Sequence, residues 1–449
     1  MRVRHAAAAC AACLVAGALV SGQVPAAAAT FDAAWTKIRD SHFDKTMNGV
    51  DWEAVRAELR PKAAAAASSA ELRAVLRDML GRLGQSHFAL IPSGADSASA
   101  SRTGGDYSGD PGFDVRLLGG DLVVTSVGRN GSSGVQTGWL VRKIDGHQVA
   151  GLLSALPSST ADRAADGAAD GINVRLLNVE AWRIAQTRLR GPAGSSVDVG
   201  FEDGQGREVK IAIERRKEAG EPVTVGHLPA MFVRVEQERR QTPKGAFAGL
   251  IRFNVWMTAV DAPFQRAVDE FRAADGLIID LRGNPGGLAA MLMGISGHFV
   301  AERKTLGVMK TRDNELRFFA NPRLVNAKGE RVPPFTGPLA ILVDAMSGSA
   351  SECFTGGMQS IGRARVFGQT SMGQALPAQF DQLPNGDVLI HAFGDFVTAD
   401  GTRLEGRGVV PDETVPLRRD ALLAGRDDTL DAALAWIDVQ RGGRSPRRP

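Results

Sequence analysis

"SGSASECF", Ser347 to Phe354, follows the apolar run "LAILVDAM", Leu339 to Met346, and opens a helix-like pattern. An apolar strand running straight into a helix start is the unit from which layered α/β folds are built. The spacing S-x-x-E, Ser349 to Glu352, matches a capping box, in which Ser349 accepts the Glu352 amide. That role alone accounts for the serine. A hydroxyl at such a junction also faces solvent at a sheet edge, beside unpaired helix amides and the positive end of the helix dipole. An oxyanion formed on attack by Ser349 would meet the Ala350 amide. The stretch leaves both roles open, cap and nucleophile.

Outward from it, apolar strands alternate with helices from about residue 219 to 438. They include "AGLIRFNVW", the amphipathic "VDAPFQRAVDEFRAA", "GLIIDLRGNPGG", "ARVFGQ" and "DVLIHAFGDFVTADG". This spacing predicts an α/β layer with at least some parallel strands. The bare amides of "NPGG" can supply a second oxyanion donor, or simply make a tight turn. Before that part, residues 109–218 read as a β-rich module with a helical insertion, "VRLLNVEAWRIAQTRL". Residues 30–108 carry three amphipathic helices and then a Ser/Gly linker. Residues 1–29 read as a secretory leader, with a basic start, an apolar run and small residues for cleavage. Residues 439–449, ending "RGGRSPRRP", read as a disordered tail.

With 449 residues, 44% of them hydrophobic, the chain can bury more than one core. Its formal charge of +3 is small, and no basic stripe with interleaved aromatics points to nucleic acid. Cys10 and Cys13 leave with the leader, so Cys353 stands alone and no internal disulfide forms. Beside the serines Cys353 reads as a small buried helix residue, since nothing near it depresses a thiol pKa. The chemistry requires no metal and no cofactor.

Four motifs then settle a resemblance: "LGQSHFAL", "DLRGNPGG", "SGSASECFTGGMQSIGRARVFGQTSMGQ" and "DGTRLEGRGVVPD". Their order resembles that in the C-terminal-processing (tail-specific) peptidases and the related tricorn-core peptidases, from about Phe31 to Asp412. The resemblance implies a multidomain α/β chain, with an N-terminal helical region, a PDZ-like β-rich domain and a ClpP/crotonase-like peptidase core. It places the nucleophile on Ser349 rather than Ser347 or Ser351, and the oxyanion donors on Ala350 and Gly286. It also places a carboxylate-binding loop at Gly112 and Phe113 in "DPGFDV".

One position departs from the better-known branch. Where that branch has its dyad lysine, this chain has Gln374, and no lysine follows Lys328. A glutamine amide takes no proton from a hydroxyl. The tricorn-like branch implies a Ser–His–Glu arrangement instead. Outside the leader the histidines are His42, His87, His147, His227, His298 and His391. His87 occupies the matching turn, and Glu405 in "LEGRGVVPD" the place of the orienting acid. Gln374 is left as a substrate contact. The implied function is a secreted or periplasmic serine endopeptidase acting on peptides or proteins with a free C-terminus. No nucleic-acid partner and no membrane span after leader removal are expected. The alternative is an inactive peptide- or ligand-binding protein on the same scaffold.

Overall fold

A computed structural model describes residues 27–93, 108–128, 134–154, 169–224 and 231–442. His227, the Ser/Gly linker and most of the leader lie outside the described residues. The last three leader positions do not: Ala27 to Ala29 form the first turn of the helix Ala27–Ser41, with Ala27 buried.

Three helices open the fold, Ala27–Ser41, Trp52–Ala64 and Ser69–Gly81. Asp51 and Ser68 cap the second and third, accepting the Ala54 and Glu71 amides at 2.9 and 3.2 Å. Apolar residues three and four apart face inward, so Phe31, Trp35, Ile38, Leu59 and Leu76 share one core. Trp35 and Trp52 each donate an indole N–H to the other's carbonyl, at 2.9 and 3.2 Å. Leu383 and Leu389, from the far end of the chain, complete this core.

The helical region therefore does not stand apart. Just after His87, the strand Ala89–Ile91 pairs antiparallel with Val388–Ala392, which pairs with Ala378–Gln382. This three-stranded sheet brings residues 300 positions apart to one place. The Arg73 guanidinium, paired with the buried Asp387 at 2.7 Å, fastens its far end.

The β-rich module sets the strands Phe113–Leu118, Asp121–Val127, Leu140–Ile144, Ser196–Glu202 and Glu208–Glu214 side by side in that order. The helix Ala169–Leu189 packs on the first of them. Inward-facing residues including Val115, Val124, Val141, Val199 and Phe201 form its core.

The C-terminal part is a six-stranded sheet in the order Val235–Gln241, Phe247–Phe253, Gly276–Asp280, Leu339–Val343, Arg365–Gly368, Glu413–Thr414. The first pairing is antiparallel and the other four are parallel. Leu339–Val343 is buried at every residue, as a strand covered on both faces must be. Phe253, Trp256, Phe264 and Phe354 fill one face; Leu250, Leu342, Phe367 and Ile437 fill the other. The edge strand "VEQERRQ" escapes sequence reading, because its charges hide the alternation. Those same charges suit an edge that must not pair with another chain. The last helix, Asp428–Gly442, runs through the first four positions assigned to the tail, because Leu430, Leu434 and Ile437 seat it on the sheet.

Candidate active site

The three serines of "SGSAS" have different fates. The Ser347 hydroxyl donates to the Leu281 carbonyl at 2.8 Å and accepts the Asp344 amide at 3.0 Å. The Ser351 hydroxyl donates to the Asn284 carbonyl at 3.0 Å and accepts the Trp256 indole at 2.8 Å. Both are buried and hold the serine turn against the "RGNPGG" turn. The Ser349 hydroxyl donates no hydrogen bond among the described residues. It faces the Glu352 amide in a capping box, yet that amide donates to the Ser349 carbonyl at 2.9 Å.

Ser349 sits at φ 52°, ψ −116°, a conformation that a side-chain-bearing residue holds at a cost of roughly 1–3 kcal/mol. His87, at φ 61°, is likewise strained. Strain held in place by the surroundings clusters at working sites. Here the surroundings are a buried carboxylate. Glu352 accepts the amides of Ser349, Gly373 and Gln374 at 3.0, 2.6 and 3.0 Å, and the Ser371 hydroxyl at 2.6 Å. It binds the 371–374 loop to the helix start. Burial pushes its carboxyl up to about 7, with the four donors working in the opposite direction. The Ser349 amide also faces the Gln374 carbonyl at 2.9 Å.

One residue further on, a second carboxylate takes over. Glu405 accepts the Ala375 amide at 2.8 Å, the Ser86 amide at 3.0 Å and the Ser86 hydroxyl at 2.9 Å. The Ser86 oxygen lies 2.8 Å from His87 Nδ1. Glu405 thus reaches His87 through Ser86. Ser86 went unnoticed in the sequence although it adjoins His87. A hydroxyl has one proton, and Ser86 gives it to Glu405, so Nδ1–H must donate to Ser86. Nε2 is left as the unprotonated nitrogen. Desolvation of the half-buried ring pulls its pKa down to about 4, so the imidazole is neutral at physiological pH. Burial raises the Glu405 carboxyl, against three hydrogen bonds that lower it. No hydrogen bond joins His87 to Ser349.

Gly286 abuts Ser349, but its amide is occupied: it donates to Asn284 Oδ1 at 3.0 Å. This corrects its assignment as a free donor. The Trp256 backbone grips the turn from the other side, donating to the Gly286 carbonyl and accepting the Leu288 amide, both at 2.8 Å. The Gly287 amide between them turns away from Trp256 and, like that of Ala350, has no partner among the described residues. Gly286 tolerates no side chain. Its φ is +106°, and a Cβ there would lie 2.6 Å from Ser349 Cβ and 2.8 Å from the Gly348 carbonyl. Gly286→Ala is expected to lower turnover by at least about a hundredfold, through a displaced oxyanion pocket. Steady-state rates beside a circular dichroism spectrum check this.

The remaining candidates fall elsewhere. His42 and His391 are buried and committed, His42 to the Asp44 carbonyl and Gln85, His391 to Ser41 and Asp381. His147 is exposed on the short strand His147–Gln148, and His298 is buried among Phe264 and Phe299. Cys353 is buried, its thiol pKa pushed well up by burial. Gln374 is half-buried, and its side-chain amide has no partner among the described residues. In the β-rich module the Gly112 amide donates to Asp110 at 2.7 Å, and Phe113 is buried in the core. Arg175, on the Ala169–Leu189 helix, spans from that module to the Met372, Gly406 and Arg407 carbonyls at 3.2–3.3 Å.

Comparison with known proteins agrees with this layout. Residues 248–415 match the peptidase family S41 model, and residues 26–81 the tricorn protease C1 domain. A probable CtpA-like serine protease of Staphylococcus aureus is 28% identical over 238 residues, 51% of this chain and 45% of that protein. A carboxyl-terminal-processing protease of Picosynechococcus is 26% identical over 252 residues, 56% of this chain and 55% of that protein. The chain thus spans about half the length of these curated relatives. Among solved structures, the photosystem II D1 C-terminal processing protease superposes with a TM-score of 0.56 at 20% identity, over 90% of this chain and 98% of that one. Mature CPAF gives 0.61 at 13% identity, over 94% and 99%. At such identities the superpositions speak for the fold. The strand, turn and serine helix described above all lie inside residues 248–415, the stretch that matches the peptidase family S41 model.

Proposed function

We propose that the chain is a serine endopeptidase in which Ser349 attacks, His87 takes its proton, and Ser86 and Glu405 hold the imidazole. Ser349 Oγ adds to the peptide carbonyl carbon while its proton passes to His87 Nε2. The resulting oxyanion lies between the Ala350 and Gly287 amides, the latter replacing Gly286 as donor. The imidazolium keeps its Nδ1–H on Ser86, whose own proton stays on Glu405, so the positive charge is stabilised through one bridging hydroxyl. His87 then protonates the leaving amine, and water releases the acyl group by the same steps in reverse roles. The observation that carries this reading is the Ser86 bridge, which fixes the tautomer and leaves Nε2 as a base. Gln374, close to Ser349 with a side-chain amide unpartnered among the described residues, contacts the substrate backbone.

In the β-rich module, read as a PDZ domain, a substrate carboxylate at Gly112 has to displace Asp110, which holds that amide at 2.7 Å. The leader read at residues 1–29 supports a location in the periplasm or outside the cell. No helix among the described residues is long and apolar enough to cross a membrane.

The direct test is labelling by a fluorophosphonate, which requires an activated serine. Labelling lost in Ser349→Ala supports the enzyme. The missing His87–Ser349 hydrogen bond favours the second reading, a peptide-binding protein, and absence of labelling in the parent would establish it over the first. A further expectation separates Ser86 from a purely structural serine. Ser86→Ala should lower kcat by roughly ten- to a hundredfold with KM nearly unchanged, because it disturbs the base and not the binding cleft. Ser86→Thr, which keeps the hydroxyl, should recover most of that loss.

A further inference from the structure

Four residues beyond Gln374, the chain enters the strand Ala378–Gln382, the outer strand of the three-stranded sheet. Its pairing register fixes which backbone groups are used. Phe393 donates to Pro377 at 3.0 Å and Leu383 to Asp387 at 2.8 Å, with Gln379 opposite His391 and Asp381 opposite Leu389. In an antiparallel ladder hydrogen-bonded positions alternate, so the odd-numbered residues serve the sheet. The amides and carbonyls of Ala378, Phe380 and Gln382 point outward, and none has a backbone partner among the described residues. Side chains alternate too. Gln379 and Asp381 turn to His391 and the helices, while Phe380 lies on the opposite face, 50% exposed, in a row with Ile390 and Ala89.

An unpaired strand edge with an exposed aromatic is a template for another chain, and it is usually blunted by charge, proline or a bulge. The Val235–Gln241 edge of the main sheet carries such charges; this one carries none on its outward positions. We propose that the free edge of Ala378–Gln382 receives an extended segment of substrate polypeptide as an added β-strand, with Phe380 packing against an apolar substrate side chain. This deepens the peptidase reading and rests on it. The edge is continuous in backbone with Gln374, whose carbonyl faces the Ser349 amide at 2.9 Å, so a chain leaving the nucleophile meets it within a few residues. Recognition of this kind reads backbone, with side-chain preference at alternate positions.

The test measures binding without cleavage. Fluorescein-labelled β-casein, an unfolded chain, is titrated with Ser349→Ala protein and followed by anisotropy. Adding Phe380→Pro removes an outward N–H and no ladder bond, and is expected to weaken binding about tenfold, the scale of one lost backbone hydrogen bond with its packing. Phe380→Glu serves if the proline variant misfolds by circular dichroism, with a similar loss expected. Leu316→Glu, at an exposed position on another edge strand, is the control and should leave binding unchanged. Affinity within twofold of the parent in a folded Phe380 variant overturns the proposal, as does a parent that fails to bind casein. Fluorophosphonate labelling of the unmutated protein judges the peptidase reading separately, so the two can fail independently.

Discussion

Alanine at position 349 is expected to reduce peptide hydrolysis by about ten-thousand-fold or more, to the level that binding and oxyanion donors alone sustain. The size of the effect follows from how the other hydroxyls are used. Ser347 and Ser351 are both locked by hydrogen bonds, to Leu281 and Asp344 and to Asn284 and Trp256. Neither can turn to take over attack. Folding should suffer little, because the Glu352 amide that the Ser349 side chain faces in the capping box also donates to the Ser349 carbonyl at 2.9 Å. Glycine makes a sharper test. At φ 52°, ψ −116° any Cβ is strained, and relief of roughly 1–3 kcal/mol exceeds the roughly 0.5–1 kcal/mol entropic cost of glycine. Ser349→Gly should therefore be inactive and yet unfold at a higher urea concentration than the parent. An inactive variant with unchanged or lower stability would leave the loss of activity open to a folding explanation; a gain in stability closes it.

How much of this was legible beforehand depends on the range of the signal. The strand Leu339–Val343, the helix from Ala350 and the five strands of the β-rich module announce themselves locally, through apolar runs and turn residues. Glu405 and His87 were singled out by motif order, since nothing in residue spacing tells that positions 87 and 405 both come to Ser86. The sheet that joins them is made from Ala89–Ile91 and Val388–Ala392, a pairing with no local signature. Ser86 was passed over for the opposite reason. It is adjacent to His87, and a serine in a turn has so many ordinary uses that only its two bonds, to Glu405 and His87, distinguish it. The Gly286 assignment failed on a single hydrogen bond. Asn284, two residues earlier, folds back on that amide, as asparagine side chains do in turns, and moves the free N–H along by one. Glu352 was read only as the second half of a capping box. Its larger role needs the 371–374 loop, which the sequence does not place beside it.

That larger role makes Glu352→Ala the change with the greatest expected cost to stability, about 3–5 kcal/mol, typical of leaving buried polar partners uncompensated. Removing the carboxylate strands the amides of Gly373 and Gln374 and the Ser371 hydroxyl proton at once, and leaves the Ser349 amide only the Gln374 carbonyl. The strained Ser349 conformation loses an anchor, so activity should fall together with stability. The pH dependence distinguishes this from simple cavity formation. Burial raises the folded pKa to about 7 from a value of 4.5. Between those values the folded protein holds a proton that the unfolded chain has released. The group's contribution to stability is therefore full below pH 4.5 and is lost as pH rises through 7, a change of about 3 kcal/mol. Catalysis runs the other way. A protonated carboxyl turns an O–H toward one of its four donors and loosens the 371–374 loop, so turnover should climb through pH 7 as the proton leaves. His87, neutral above about 4, contributes no such limb in that range. Glu352→Gln freezes the uncharged form. It should show low turnover, flat from pH 6 to 8, and urea midpoints that no longer decline across that interval. An unaltered activity rise in that variant would assign the titration to another group and reduce Glu352 to a helix cap.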